Sequence, residues 1–532
     1  MIPLHIHSNF SLLTGTFRID ELIKKAQEFN IHALSLTDTN GMYGIINFYK
    51  QCVESGIKPI LGCYINDSSD ELKYTIFLAK NQHGFGDICR IITSRKLDEN
   101  FDLKTILKEY HPNLIIITPV IEYLKIINPQ NQFYAELIRT KKQKNYTTEL
   151  YSLAKEKKIK VVATNPVYFL NQEDFIIHKL LRAIDENTTI ANLKSEIVVD
   201  PEFYFRPFKE LEKLFRDIPD ALVESEEIAE QCNVNLNIGD YKFPHYPNAK
   251  PDSFTFFYKI VYDGFNRKYP KATFSEKERL EKEIEVITSL NFIDYFLIVW
   301  DIVQEAKRRG ILYIGRGSAA NSMVAYCLDL TQIEPIRNNL FFERFLNKAR
   351  SSPPDVDLDF SWKERDEMIK YVFEKYGYEN VAMISTHVTF RARSAFREVA
   401  KAFGISDAEI SNYSKKIPWT SAKNLPNIAE IFPESKSLDF SKEPWKTIVY
   451  LASRIANFPR HLSIHPGGIV ITPTKVTDYC ALEYAKNKGL GLIITQSDMY
   501  SIEDLGLIKI DLLSQRSLGV LRDTMKMIKK KS

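Results

Sequence analysis

Over its first two hundred residues the chain alternates short β-rich runs with amphipathic helical stretches. The runs are PLHIHS, HALSLTD, KPILGCYI, YTIFLAK, NLIIITP, FYAELIR and KVVATN. Between the first two lies RIDELIKKAQEF, which sets Ile19, Leu22, Ile23 and Ala26 at helical spacing. Seven such runs with helical crossovers read as a parallel α/β sheet or barrel. A site on such a sheet sits at the C-terminal strand ends. Those ends carry His5 and His7, then Asp38, Cys63 and Tyr64, and Asn165 and Tyr168.

The turn-rich stretch NIGDYKFPHYPNAKPDSF marks a first domain boundary. Two helical segments follow, SEKERLEKEIEVITSLN and YFLIVWDIVQEAKRRG, then a glycine-rich loop and a strand with three aspartates. From about Glu364 to Asn457 the pattern is mostly helical, and the β-like runs GGIVIT, GLGLIITQ and LIKIDLL come after it. At 532 residues the chain has room for three to five domains. Its 71 basic and 68 acidic residues leave a net charge of only +3, so nucleic acid would need a local basic groove. No apolar run is long enough to span a membrane, and MIPLHIHSNF does not read as a signal peptide. Six cysteines without a C-x-x-C pair argue against structural zinc and a disulfide framework, and fit a reducing cytoplasm.

The sharpest local signal is Pro353-Pro354-Asp355-Val356-Asp357-Leu358-Asp359-Phe360. The prolines stop a helix, and the period-two alternation puts the three aspartates on one strand face and Val356, Leu358 and Phe360 on the other. Carboxylates about 6–7 Å apart along a strand repel one another unless a cation or water screens them. A magnesium ion, which takes oxygen ligands, is one solution; a solvated edge strand is the other. In Tyr313-Ile314-Gly315-Arg316-Gly317-Ser318 a hydrophobic run ends in glycines and small residues open a helix. Backbone N–H groups there suit a phosphate, and Arg308, Arg309, Arg316, Arg344 and Arg350 lie near in sequence. A plain strand-to-helix turn has the same wording. Lys509-Ile510-Asp511 puts a cation and a carboxylate on one strand face, as many surface pairs do.

Together GRGSAANS, FFERFLN, PPDVDLDF, HPGGIVIT and LIKIDLL stand in the order and approximate spacing of the C-family of bacterial replicative polymerases, the DNA polymerase III alpha type. The resemblance runs over essentially the whole chain. Asn321, Arg391-Ala392-Arg393-Ser394-Ala395 and Arg460-His461-Leu462-Ser463 are closer to the error-prone branch. What the resemblance implies is an α/β multidomain protein. A PHP-type (β/α)7 barrel at 1–236 leads into a polymerase beta-like nucleotidyltransferase palm at 237–385. A helical thumb is inserted at 386–462, the palm resumes at 463–514, and 515–532 begins a fingers region.

By the same resemblance Asp355, Asp357 and Asp511 match the palm aspartates that hold two Mg2+ ions, whereas Asp359 is not counted as a ligand. Gly317, Ser318, Arg316, Arg344, Arg350 and Lys509 fall at phosphate-facing positions, and Arg391, Arg393, Arg397, Arg460 and His461 at the DNA backbone. The implied activity is template-directed addition of deoxynucleotides to a primer 3′-hydroxyl, of a lesion-tolerant or error-prone type. The alternative is a DNA-binding or assembly fragment that lacks the fingers and needs a partner chain. Implied partners are primer–template DNA, deoxynucleoside triphosphates and, in a complete enzyme, a sliding clamp and other replisome or translesion subunits, with no membrane.

His5 and His7 match the opening metal motif of the PHP family, with Asp38 and His178 nearby. Elsewhere the motif is lost: Thr14, Thr39, Tyr64, Pro166 and Tyr168 replace expected ligands, and Thr118-Pro119-Val120 lacks the family cysteine. Two imidazoles make a poor cage for a metal pair, so this barrel is expected to be inactive and without metals.

Overall fold

Six of the seven N-terminal runs become strands in the computed structural model, which describes residues 1–348, 354, 356–485 and 492–531. They are β1 (Ala33–Leu36), β2 (Lys58–Asn66), β3 (Tyr74–Ala79), β4 (Leu114–Thr118), β5 (Gln132–Ile138) and β6 (Val161–Thr164), and they form one sheet in that order. The β1/β2, β4/β5 and β5/β6 pairs are parallel, but β3 runs antiparallel to both neighbours. This departs from the all-parallel (β/α)7 reading. The connection Asp67–Lys73 is too short for a helical crossover, so β2 and β3 close as a hairpin. The seventh run, PLHIHS, is an isolated bridge rather than a strand. It accepts backbone bonds from Ser35 and Thr37 on one side and exchanges them with Val167 on the other. Helix Ile19–Glu28 buries the four apolar residues that its spacing marked. Alternate residues of β2 to β6, including Ile60, Ile76, Ile117, Tyr134 and Val162, share a core with Ile228 and Ala229 of helix Asp220–Gln231.

The chain divides into two units. The first comprises Met1–Leu236, Thr386–Ser463 and Thr477–Asn487. Its helical part has a core in which Phe396, Val399, Ile448 and Leu451 join Leu180, Leu181 and Ile184 of helix Phe175–Asp185. An ion pair between Arg454 and the buried Asp174 (2.8 Å) supports that packing. The short strand β11 (Leu482–Tyr484) also belongs to this unit.

The second unit comprises Asn237–Ser385, Ile464–Val476 and Lys488–Ser532. Its strands are β7 (Tyr313–Arg316), β8 (Asp357–Ser361), β12 (Ile493–Asp498) and β13 (Ile508–Gln515), together with β9 (Val381–Thr389) as far as Ser385 and β10 (Pro459–Ile471) from Ile464 onward. Within it the order is β12-β9-β10-β13-β8-β7. The β8/β13 and β9/β12 pairs are parallel, and the β7/β8 and β10/β13 pairs antiparallel. Strand β9 lies in a stretch that reads as mostly helical by sequence. Val381 to Ser385 are all buried, so no period-two alternation betrays them. Both helical segments ahead of the glycine loop form, as Phe274–Ser289 and Ile293–Arg309, the latter closed by Gly310 at φ +68°. Among the described residues no single helix is long and apolar enough to cross a membrane. All six cysteines are free and buried.

Candidate active site

Strands β8 and β13 lie side by side in parallel, and their register makes Asp357 and Asp511 direct partners. Register partners put their side chains on the same sheet face, so two carboxylates meet where neighbouring strands are about 4.8 Å apart. On the other side of β8, Arg316 of β7 is the register partner of Asp357. Its guanidinium lies 3.8 Å from Asp357 Oδ2 and 3.2 Å from Asp359 Oδ2. Gln515 Nε2 donates to Asp359 Oδ2 as well, at 3.2 Å. Lys509 Nζ reaches Asp511 Oδ2 at 3.1 Å along its own strand. Asp511 Oδ1 is buried and takes no hydrogen bond from the described residues. Its neighbour at 3.6 Å is His465 Nδ1, which already accepts the Gly468 N–H (2.7 Å). Burial holds the His465 imidazole below its ordinary pKa, against the pull of Asp511. A Cβ at residue 468 would press on His465 Nδ1 at 2.8 Å, which explains a glycine there.

The donor set suits a hard divalent cation: adjacent carboxylates, an oxygen of each of Asp359 and Asp511 without a hydrogen bond from the described residues, and two cations where the described cluster has three carboxylates. Among the described residues no group of three or more metal-ligating side chains is assembled. Asp355, like Arg350, lies outside the described residues. Arg344 is exposed on the turn Phe342–Arg344. Arg308 and Arg309 are both engaged by Glu305 at 2.6 Å.

The glycine loop is a turn of 3-10 helix, Gly317–Asn321, entered with Gly317 at φ +78°. Gly315 is required for space, because a Cβ there would sit 1.6 Å from the Leu330 carbonyl oxygen. The following helix, Met323–Cys327, does not offer its N-terminus to a phosphate as its wording suggests. Glu283 fills that position: its Oε2 accepts from Val324 N (3.1 Å) and Ser322 Oγ (2.8 Å). Burial raises the Glu283 carboxyl pKa, and these hydrogen bonds oppose the shift.

At the strand ends of the first unit, His5 and His7 face each other with Nε2 atoms 2.9 Å apart. His5 Nδ1 pairs with Glu136 Oε1 at 2.8 Å, and His7 Nδ1 lies within 3.1 Å of Ser11 and Thr39 hydroxyls. Tyr168 stacks on the His7 ring at 4.1 Å. Burial, with His5 and His178 nearby, pushes the His7 pKa well down. Asp38 accepts from Ser8 and Ser11, yet burial raises its carboxyl to about 6. His178 donates from Nδ1 to the Thr14 carbonyl and accepts Val199 N–H at Nε2, and burial lowers its pKa to about 4. Glu136, which sequence reasoning passed over inside FYAELIR, is fully buried and also accepts from Thr164 (2.7 Å) and Tyr74 (2.8 Å). A charged residue in the middle of an apolar strand was the signal available for it.

Residues 255–514 match the family described as the bacterial DNA polymerase III alpha NTPase domain, and residues 3–169 match the PHP domain. The chain is 33% identical over 557 residues to DNA polymerase III subunit alpha of Bacillus subtilis (strain 168), an alignment covering 99% of this chain and 49% of that one. With the corresponding subunit of Buchnera aphidicola subsp. Acyrthosiphon pisum it shares 34% over 573 residues, covering 100% and 49%. With the error-prone DNA polymerase of Symbiobacterium thermophilum it shares 32% over 571 residues, covering 99% and 52%. The chain belongs to the bacterial DNA polymerase III alpha family. It spans about half the length of the curated relatives it matches.

In this polymerase III alpha-family chain the basic residues of the helical insert differ in their commitments. Arg393 donates to the Ile417 carbonyl at 2.6 Å, and Arg397 reaches Ser411, Ser414 and Asp407. Arg460 pairs with Glu398 at 3.1 Å. Arg391 sits exposed at the start of helix Ala392–Ala402, over the ring of the exposed Trp419. His461 is exposed, and partial burial together with Arg460 lowers its pKa.

Proposed function

We propose that this chain carries the palm and thumb of a C-family DNA polymerase that adds deoxynucleotides to a primer 3′-hydroxyl, on a PHP-domain platform without phosphoesterase activity. The observation that carries the reading is the pairing of Asp357 with Asp511 in register, beside Arg316 and Lys509. Asp357 and Asp511, joined by Asp355, would hold magnesium. When bound, two such ions activate the primer hydroxyl and stabilise the leaving pyrophosphate. Lys509 orients the Asp511 carboxylate so that its second oxygen is left for a ligand. Arg316 keeps Asp357 and Asp359 from repelling one another, and Arg316, Arg344, Arg350 and Lys509 supply positive charge for a triphosphate lying along Gly317 and Ser318. Primer–template DNA lies against Arg391, Arg393, Arg397, Arg460 and His461. Nucleotidyl transfer asks mainly for such positioning and charge stabilisation. A sliding clamp and other replication subunits are partners of the complete enzyme, and the wording at Asn321, Arg391 to Ala395 and Arg460 to Ser463 favours a lesion-tolerant one.

The test combines metal binding with primer extension. The chain should bind Mn2+, a spectroscopic stand-in for Mg2+, and both Asp357→Asn and Asp511→Asn should weaken that binding. With the polypeptide equivalent to the second half of a relative supplied in trans, each variant should lower single-nucleotide incorporation by about a thousandfold while primer–template affinity holds. Unchanged incorporation in either variant would overturn the assignment.

A further inference from the structure

We infer that Arg279 and Glu283 are positioning residues that clamp the glycine loop in the shape that receives the triphosphate, an inference that rests on the nucleotide site proposed above. They lie one turn apart on helix Phe274–Ser289, in a stretch that the sequence marks only as helical. Arg279 Nε donates to Glu283 Oε1 at 3.1 Å, and its Nη2 donates to the Asn321 carbonyl at 3.0 Å. The other Glu283 oxygen takes Ser322 Oγ and Val324 N. One ion pair therefore grips the loop on both sides of the Asn321–Ser322 peptide bond. Inside the loop, Asn321 Nδ2 donates to the Ser318 carbonyl at 2.9 Å and passes the constraint on to Ser318. Asn321 is itself buried, and its Oδ1 takes no hydrogen bond from the described residues, so its amide is held by this one contact and by packing.

The clamp has a chemical consequence. Because Glu283 occupies the start of helix Met323–Cys327, a triphosphate cannot use those N–H groups, and a negative charge stands directly behind the loop. Phosphate oxygens are thereby confined to the front of the loop, at Gly317, Ser318 and the arginines. Glu283 is fully buried and Arg279 about three-quarters buried, so water competes weakly for the pair.

Arg279→Gln, Glu283→Gln and the double variant test the clamp in the full chain, with Mg·dATP as the probe. Glu283→Gln keeps an acceptor for Val324 N–H but turns an amide NH2 toward Arg279, so it breaks the pair without removing the helix cap. Each single variant should weaken Mg·dATP binding by about fivefold to tenfold, and the double variant by little more, as two halves of one contact do. Mn2+ affinity at Asp357 and Asp511 should stay within about twofold, which a general loosening of the unit would not allow. Hydrogen exchange of the amides in Gly317–Ser322 should speed up in all three variants. If the unaltered chain binds Mg·dATP and the variants bind it equally well, the clamp is wrong and the nucleotide site stands. If the unaltered chain does not bind Mg·dATP, the nucleotide reading falls and takes the clamp's role with it. Unchanged exchange at Gly317–Ser322 overturns the clamp irrespective of nucleotide.

Discussion

The polar cluster of the first unit gathers buried His and acidic side chains and that of the second gathers carboxylates on β8 and β13, yet they are satisfied in opposite ways. Around His5, His7 and Asp38 the charges are closed off from within. Glu136 takes three donors, Asp38 is held by two serines, and His178 uses both ring nitrogens on backbone groups. Around Asp357 and Asp511 the described partners run short, and a buried carboxylate oxygen of each of Asp359 and Asp511 takes no hydrogen bond from the described residues. A cluster complete in itself holds a fold together. A cluster with oxygen ligands left over has room for a cation from outside, and on the reading proposed above that difference is the one between a retained scaffold and a working site.

If the first cluster is structural, breaking it must cost stability. Glu136→Leu orphans His5, Tyr74 and Thr164 at once and should destabilise the first unit by about 3–5 kcal/mol, read as a loss in urea unfolding followed unit by unit. An unaltered midpoint would show that the network is slack. Asp359→Asn in the second unit should cost far less, which sharpens the contrast.

The next largest effect is one of pH. His178 has a folded pKa of about 4 against an ordinary value of 6.5, so the unfolded chain binds its proton more readily. Its contribution is complete above about pH 6.5 and is lost as pH falls toward about 4, amounting to about 3 kcal/mol. His7 acts in the same direction. Asp38 acts oppositely, since its raised pKa of about 6 lowers stability as pH climbs from 3.8. The difference between the unaltered chain and His178→Gln, measured from pH 7 to pH 4, isolates the His178 part. A difference independent of pH would mean that the ring takes up its proton as readily in the folded protein as in the unfolded chain.

The smallest effect concerns the insert. Arg391 is exposed and lies over the Trp419 ring, whereas Arg393 is tied to the Ile417 carbonyl, so Arg391→Ala should leave stability within about 0.5 kcal/mol. It should also lower the salt dependence of DNA binding by about one counterion. Arg393→Ala should act the other way round, losing stability through the Ile417 carbonyl. Equal salt slopes in the two variants would erase the distinction.

What the sequence alone determined is local. Six of the seven β-rich runs are strands, the apolar stripe of helix Ile19–Glu28 is buried, and the period of two puts Lys509 with Asp511 and Asp357 with Asp359. Each of these follows from a repeat a few residues long, which survives whatever the chain packs against. Pairing does not. That Asp357 meets Asp511, that β3 turns against its neighbours, that Glu283 fills the helix start meant for a phosphate and that Glu136 closes on His5 were decided by which strands and helices became neighbours. Strand β9 stayed hidden for a related reason, since burial on both faces removes the alternation that marks a strand. A residue's period is written in the chain beside it, whereas the partner of a buried charge is set by register across elements far apart in sequence.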